Sequence, residues 1–125
     1  MQYLLDTHAL IWWLANDPNL NPNAKAEIAS PNCLIFVSAA STWEISIKKA
    51  IGKLNSPEDI MEQITKNKFK SLPINFKETL MIETLPPHHQ DPFDRILIAQ
   101  AQLFNLTIIT RDRKFNLYDI NLLKC

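Results

Sequence analysis

The hydrophobic positions of this chain fall into short continuous runs that alternate with longer stretches of helical periodicity. Residues 3–5, 34–37 and 107–109 are nearly uniformly apolar, which is typical of strands buried on both faces. Residues 70–73 and 119–122 are weaker runs at which we expect edge strands. Because strands and helices alternate, the pattern predicts an α/β fold with a mainly parallel sheet covered by helices on both faces.

Capping residues mark the points at which helices are expected to begin. Helices are predicted after Asn21, within residues 56–59 and after Asn75, each of which combines a capping side chain with helix-compatible neighbours. Another helix starts near Ser38. It is expected to end at Gly52, the single glycine of the chain, because glycine readily adopts the left-handed conformation of a C-terminal cap.

The most regular helical pattern begins in the segment DPFD, residues 91–94. Leu97 and Ala101 continue an apolar stripe at helical spacing, and Asp94 begins that stripe. Asp91 precedes a proline and is therefore the natural N-cap, which leaves Asp94 at the third helical position. We therefore expect Asp94, rather than Asp91, to be the acid that takes part in the functional site.

Four carboxylates are expected to converge, because each follows an apolar strand or lies early in a helix: Asp6, Glu44, Asp94 and Asp112. In open α/β sheets, sites form outside the carboxyl ends of the strands. Carboxylates about 4 Å apart repel by roughly 4 kcal/mol per pair at an effective dielectric near 20. Such a cluster needs a positive partner, and a divalent cation is the obvious candidate.

Each of these acids also has an ordinary structural explanation. Asp6 can cap the helix predicted over residues 7–15, and Asp112 can close a turn after the last buried strand. Glu44 can be a solvated helix residue or the partner of Lys48 at the next helical turn. Their expected convergence favours the functional interpretation.

Basic and imidazole side chains surround the proposed acidic centre. Arg95 and Arg111 are the candidates for binding substrate phosphates, and surface solubility is the alternative. His88 and His89 are adjacent but have no third ligand at a zinc-binding spacing, so they are a weak signal for a metal site or a general base.

The first predicted helix is apolar on all sides. Trp12 and Trp13 lie about 100° apart on it, so we expect part of its surface to contact a partner. Complete burial within the domain is the alternative.

Composition bears on the number of domains, the possible binding partners and the cellular location. With 125 residues and 46% apolar content, residues 1–125 are expected to form a single domain. Thirteen basic residues balance thirteen acidic ones, so any nucleic-acid contact must be local. We expect Cys33 and Cys125 to be free thiols, which favours a cytoplasmic location. No segment approaches the roughly 20 consecutive apolar residues that a membrane-spanning helix needs.

A site built from carboxylate oxygens is what Mg²⁺ or Mn²⁺ prefers. Two such ions about 3.5–4 Å apart promote in-line displacement at a phosphodiester. Hydrolysis of a nucleic-acid backbone is therefore the leading hypothesis. The signatures of acyl hydrolases and of nucleotide-cradling loops are missing from a sequence with one glycine.

Four segments carry a family resemblance that spans nearly the whole chain: YLLDTHALIWWL at 3–14, STWEIS at 41–46, HQDPFDRILIAQ at 89–100 and ITRD at 109–112. Together they resemble the successive motifs of PIN-domain ribonucleases, especially VapC-like toxins. The resemblance implies a PIN-like three-layer α/β/α fold and a metal-dependent endoribonuclease that uses Mg²⁺ or Mn²⁺ to cut RNA. It also implies a toxin that forms homodimers and is neutralised by a cognate antitoxin.

The resemblance also implies roles for particular residues. Asp6 and Asp94 would be the main metal ligands, and Glu44 and Asp112 would complete a second site or hold water. Thr110 matches the hydroxyl that often precedes the last acid by two residues, and we expect it to contact the substrate together with Arg95 and Arg111.

Three other classes of protein are alternatives to this interpretation. A catalytically silent PIN-like module that binds RNA or protein is the main alternative, although all four acids are present. A dehalogenase-like phosphatase needs an acid where His8 stands, and a phospho-accepting signalling domain needs one where Ser38 stands.

Overall fold

The computed structural model describes residues 1–54 and 59–125. The strands of this part of the chain are β1 (Gln2–Leu5), β2 (Leu34–Ser38), β3 (Lys70–Leu72), β4 (Thr107–Thr110) and β5 (Asn121–Lys124). The helices are α1 (Thr7–Leu14), α2 (Pro22–Ala29), α3 (Ala39–Ala50), α4 (Ile60–Lys66), α5 (Phe76–Met81) and α6 (Pro92–Phe104). Short 3₁₀ helices cover Ile82–Thr84 and Arg113–Leu117.

The five strands form one sheet in the order β3-β2-β1-β4-β5, and every pairing is parallel. The first strand therefore lies at the centre, between β2 and β4. The edge strand expected at residues 70–73 is confirmed. The other begins at Asn121 rather than Asp119, because the chain first bends where the Ile120 N–H donates to the Tyr118 carbonyl.

Side chains of the central strand alternate between two buried clusters. Leu4 packs in the cluster that contains Leu97 of α6, whereas Leu5 packs in the cluster that contains Leu10 of α1. Each cluster covers one face of the sheet, as expected for parallel strands buried on both sides. The predicted three-layer α/β/α architecture is confirmed.

The predicted helix boundaries follow from local capping. Asn21 accepts from the Asn23 N–H, and Ser38 accepts from the Ala40 N–H. In the capping box at the start of α5, Glu78 accepts from the Asn75 N–H. Residues 56–58 of the start predicted at 56–59 lie outside the described part of the chain, and α4 follows directly after Asp59.

Gly52 ends α3 as predicted. Its φ is +72°, which places it in the left-handed region that favours glycine. The Gly52 N–H donates to the Lys49 carbonyl, and the Lys53 N–H donates to the Lys48 carbonyl. These bonds satisfy carbonyls that would otherwise be left open at the end of the helix.

Helix α1 is partly covered rather than fully buried. Trp12 and Trp13 both retain intermediate exposure within the chain. The Trp13 indole N–H donates to Asn67 at 3.0 Å, and the Trp12 ring lies beneath the Arg111 guanidinium. Within residues 1–54 and 59–125, none of the helices combines the length and the apolar content needed to cross a bilayer.

Candidate metal centre at the carboxyl edge of the sheet

The four acids occupy the edge of the sheet that the sequence predicts. Asp6 directly follows β1, and Asp112 lies two residues after β4. Asp94 is the third residue of α6, whose N-terminus lies at this edge because the helix runs back before β4. Glu44 is in the second turn of α3, which leaves the sheet at the end of β2.

Asp6 combines a structural role with a position in the site. One carboxylate oxygen accepts from the Ala9 N–H at 2.8 Å and caps α1. The other accepts from the Thr110 hydroxyl at 2.6 Å. The side chain is buried, and burial raises the pKa of Asp6. The capping interpretation is therefore correct, yet it leaves the second oxygen facing β4.

Glu44 is buried with only 4% of its surface exposed. Its Oε1 accepts from the Thr7 hydroxyl at 2.6 Å, and its Oε2 forms an ion pair with Lys48 at 2.7 Å. The predicted contact with Lys48 across one helical turn is present. It supplies positive charge at the border of the acidic cluster, and it also raises the pKa of Lys48.

Asp94 combines burial with repulsion from several neighbouring acids. Burial raises its pKa to about 8, with further contributions from Asp91, Asp6, Glu44 and Asp112. Among these acids, Asp112 offers an oxygen within 4.8 Å of one on Asp94. Asp91 accepts from the N–H groups of the first turn of α6 and is the N-cap, as the sequence predicts.

Asp112 is the most open acid of the four, with 38% of its side chain exposed. Its Oδ1 accepts from the Lys114 N–H at 2.9 Å, which forms the expected turn after β4. Its backbone N–H donates to the Thr110 hydroxyl at 3.1 Å. Thr110 thus links Asp112 to Asp6, since the same hydroxyl donates to the Asp6 carboxylate.

His89 lies inside the cluster, although the sequence patterns marked it only weakly. Its Nε2 is 3.0 Å from Asp94 and 2.8 Å from Asp112. The ligand-capable atoms of these three residues all lie within 4.8 Å of one another. The signal in the sequence is the placement of His89 two residues before Asp91, the N-cap of α6, and not a zinc-binding spacing. His88 instead packs edge-on against Tyr118.

The two arginines expected to contact phosphate make extensive contacts within the chain. Arg95 donates to the carbonyls of Ile82, Leu85, Pro86 and His89 at 3.0–3.1 Å. Its guanidinium therefore holds the loop that precedes α6, and this geometry offers no support for the expected phosphate contact.

Arg111 is also anchored, but it borders an open space. Its guanidinium donates to the Cys125 and Asn19 carbonyls and lies 4.4 Å from the centre of the Trp12 ring. A cavity of about 290 Å³ is lined by Asp6, His8, Trp12, Arg111 and Asp112. Contact between Arg111 and a phosphate in this cavity stays a prediction.

The variant Arg95→Lys is expected to lower the free energy of unfolding by about 1–3 kcal/mol. A lysine ammonium cannot reproduce the planar fork that serves four carbonyls, and unpaired polar groups are costly. Urea denaturation of the two proteins would measure the difference. Arg113→Lys is the matched control, because Arg113 is exposed. Equal losses in both variants would contradict the role assigned to Arg95.

The donor set fits a hard divalent cation. Carboxylate oxygens predominate, and burial raises the pKa values of Asp6 and Asp94, to which the charges of nearby acids add. Mg²⁺ and Mn²⁺ favour such oxygen ligands. Asp94 and Asp112, with His89, form the group whose ligand-capable atoms lie within 4.8 Å of one another. The charges of Asp6 and Glu44 add to the rise in the pKa of Asp94.

The profile of the PIN-domain family matches residues 3–121, which is nearly the whole sequence. The chain belongs to the PIN-domain family. The resemblance seen in the sequence motifs is thus confirmed, and the three-layer fold is that of the family. A search of curated protein sequences finds no significant match to this PIN-domain chain.

Solved structures of toxin-antitoxin complexes share the fold of this PIN domain. VapBC2 of Rickettsia felis, bound to a promoter DNA fragment, matches with a TM-score of 0.74 at 19% identity, covering 99% of this chain and 98% of that one. DNA-bound VapBC of Salmonella typhimurium gives 0.71 at 15% identity with the same coverage. VapBC-1 of nontypeable Haemophilus influenzae gives 0.68 at 20% identity, again covering 99% and 98%.

Proposed function

We propose that this PIN-domain protein is a metal-dependent endoribonuclease that hydrolyses RNA phosphodiester bonds. The observation that carries the proposal is that Asp94 and Asp112 offer oxygens within 4.8 Å of one another, while Thr110 bonds to both the Asp6 carboxylate and the Asp112 N–H. Burial, with the charges of neighbouring acids, raises the pKa of Asp94 to about 8. Acids held together in this way are costly unless a cation balances them. The geometry therefore supports a site that binds Mg²⁺ or Mn²⁺.

Asp6 and Asp94 are proposed as the main ligands of the cation, with Glu44 and Asp112 completing the set. When bound, Mg²⁺ or Mn²⁺ supplies Lewis-acid stabilisation of the charge that develops on the phosphate. Thr110 fixes one oxygen of Asp6 through its hydroxyl, so the carboxylate keeps a single orientation. Glu44 and Asp112 are the acids available to orient an attacking water.

The substrate is proposed to enter the cavity lined by Trp12 and Arg111. The Trp12 ring can stack on a base, and Arg111, if it releases a carbonyl partner, can bind a phosphate. Contacts to single-stranded RNA commonly combine stacking with local positive charge. This arrangement suits a protein whose acidic and basic residues balance overall.

We also propose that the protein, as a single PIN domain, is the toxin of a toxin-antitoxin pair that acts in the cytoplasm. The support comes from the fold shared with VapBC proteins, a family of toxin-antitoxin systems. Partners would be a cognate antitoxin and a second copy of this chain. The partly exposed Trp12 and Trp13 on α1 supply apolar surface for such an interface.

Cleavage of total cellular RNA tests the nuclease proposal. The purified protein and its Asp6→Asn variant would each be incubated with Mg²⁺, Mn²⁺ or EDTA. We expect discrete fragments only from the unmodified protein in the presence of a metal ion, since asparagine is a poorer ligand for a hard cation. The fragment ends would then identify the cleavage position.

Equal cleavage by both proteins would contradict the assignment of Asp6 to the reaction. Metal binding without any cleavage would favour the alternative of a silent PIN-like module that binds RNA or protein. Co-expression with the product of a neighbouring open reading frame would test the toxin role, because an antitoxin should copurify with the chain and suppress the cleavage.

A further inference from the structure

His89 is the one nitrogen ligand candidate within the acidic cluster of the described residues. Its Nε2 lies between two carboxylates, 3.0 Å from Asp94 Oδ2 and 2.8 Å from Asp112 Oδ2. The side chain is buried, with 5% of the residue exposed. An imidazole at this place either gives a lone pair to the cation or gives a hydrogen bond to the acids that hold it.

The hydrogen bond on the other side of the ring decides between these two roles. The Asp91 N–H donates to His89 Nδ1 at 3.2 Å. A ring nitrogen that accepts a hydrogen bond carries no proton, so the proton of the imidazole lies on Nε2. Nε2 then donates its single proton to Asp112 Oδ2, lies 3.0 Å from Asp94 Oδ2, and has no free lone pair for a metal ion.

The surrounding residues fix the ring in this orientation. The His89 backbone N–H donates to the Tyr118 hydroxyl at 2.8 Å, and that hydroxyl donates to the Pro86 carbonyl at 2.6 Å. Arg95 donates to the His89 carbonyl at 3.1 Å. The ring also packs edge-on against Phe115, with 5.4 Å between centroids. These contacts hold the backbone of His89 and one edge of its ring, which leaves the imidazole little freedom to flip and exchange the positions of Nδ1 and Nε2.

We propose that His89 is a positioning residue, whose Nε2–H donates to Asp112 and keeps its carboxylate beside that of Asp94 in the arrangement that receives the cation. This inference rests on the metal site of the proposed function. Residues that orient metal ligands through hydrogen bonds commonly affect metal affinity by about 10–100-fold. His89 thereby couples α6 to the turn after β4, which are the two elements that carry these acids.

Binding of Mn²⁺ alone, measured by isothermal titration calorimetry without RNA, tests the proposal. His89→Ala should bind Mn²⁺ about 10–100-fold more weakly than the parent protein. His89→Gln should recover most of this loss, because the glutamine amide can donate from nearly the same place as Nε2. His88→Ala is the matched control and should bind as the parent does. Thermal unfolding in EDTA would verify that each variant is folded.

The tautomer gives a second readout that does not depend on any variant. Nitrogen-15 NMR of the histidine side chains should show His89 with a proton on Nε2 and none on Nδ1, both in EDTA and with saturating Mg²⁺. Loss of the Nε2 proton when Mg²⁺ binds would make His89 a ligand and overturn the proposal. A proton on Nδ1 in EDTA would also overturn it.

The outcomes separate this proposal from the nuclease activity itself. Weakened Mn²⁺ binding by His89→Ala in a protein that cuts no RNA would support the positioning role and contradict the proposed reaction. Unchanged Mn²⁺ affinity in His89→Ala, or no Mn²⁺ binding by the parent protein, would overturn the positioning role whatever the cleavage assay shows.

Discussion

Asp94→Asn is expected to reduce metal-dependent RNA cleavage by about 100-fold or more, and at the same time to stabilise the metal-free fold. The loss of activity follows from the removal of a central carboxylate from the proposed site. The gain in stability follows because Asp94 has a pKa of about 8, raised by burial and by neighbouring acids. Asparagine keeps the shape of the side chain and carries no charge for these neighbours to repel.

The size of the stabilisation comes from the pKa shift of Asp94. Since one pKa unit corresponds to about 1.4 kcal/mol, a shift from 3.8 to about 8 represents several kcal/mol. After allowance for the 19% exposure of the side chain, we expect about 2–4 kcal/mol at pH 8 in EDTA. Urea denaturation would measure this gain. Asp119→Asn, an exposed site before β5, is the matched control. A variant less stable than the parent would refute the repulsion argument.

The metal-free protein is expected to lose stability as the pH rises from about 5 to about 8. The folded-state pKa of Asp94 is above its unfolded value, so folding favours the protonated carboxyl. Its contribution to stability is complete below the unfolded pKa of 3.8 and is lost as the pH rises through about 8. Asp6 acts in the same direction, because burial raises its pKa as well.

Divalent ions should reverse this trend. A cation that binds the ionised acids of the folded state adds about 2.7 kcal/mol at a concentration 100 times its dissociation constant. Free energies of unfolding measured between pH 5 and 8, in EDTA and in Mg²⁺, would separate the two effects. Asp94→Asn should have a flatter pH profile in EDTA and gain less from Mg²⁺. A parent protein whose stability in EDTA rises over this range would contradict the assignment.

The sequence was sufficient for the fold because its signals are local and agree with one another. Continuous apolar runs identify β1, β2 and β4, and capping side chains such as Asn21 and Ser38 mark the helix starts. Chain order then brings the ends of parallel strands to one edge. The start of β5 was misplaced by two residues, because a bend that depends on Tyr118 is not visible in hydrophobic periodicity.

The site was only partly predictable for a different reason. Asp6, Glu44 and Asp112 each make the ordinary structural contact considered from the sequence, and each nevertheless faces or borders the cluster. Periodicity identifies the face on which a side chain lies, but it does not reveal the partner of that side chain. The positions of His89 and Arg95 depend on a loop folded over the start of α6, and loop conformation has no periodic signature.

The bond between Thr110 and Asp6 joins residues separated by 104 positions. Contacts of such long sequence separation form slowly, because the entropy of closing the loop is lost before the contact is gained. During synthesis, a chain that has not yet reached β4 already carries Asp6, Glu44 and Asp94 but lacks the central pairing of β1 with β4. The bond between Asp6 and Thr110, and with it the arrangement of acids at this edge, can therefore form only after β4 has paired with β1.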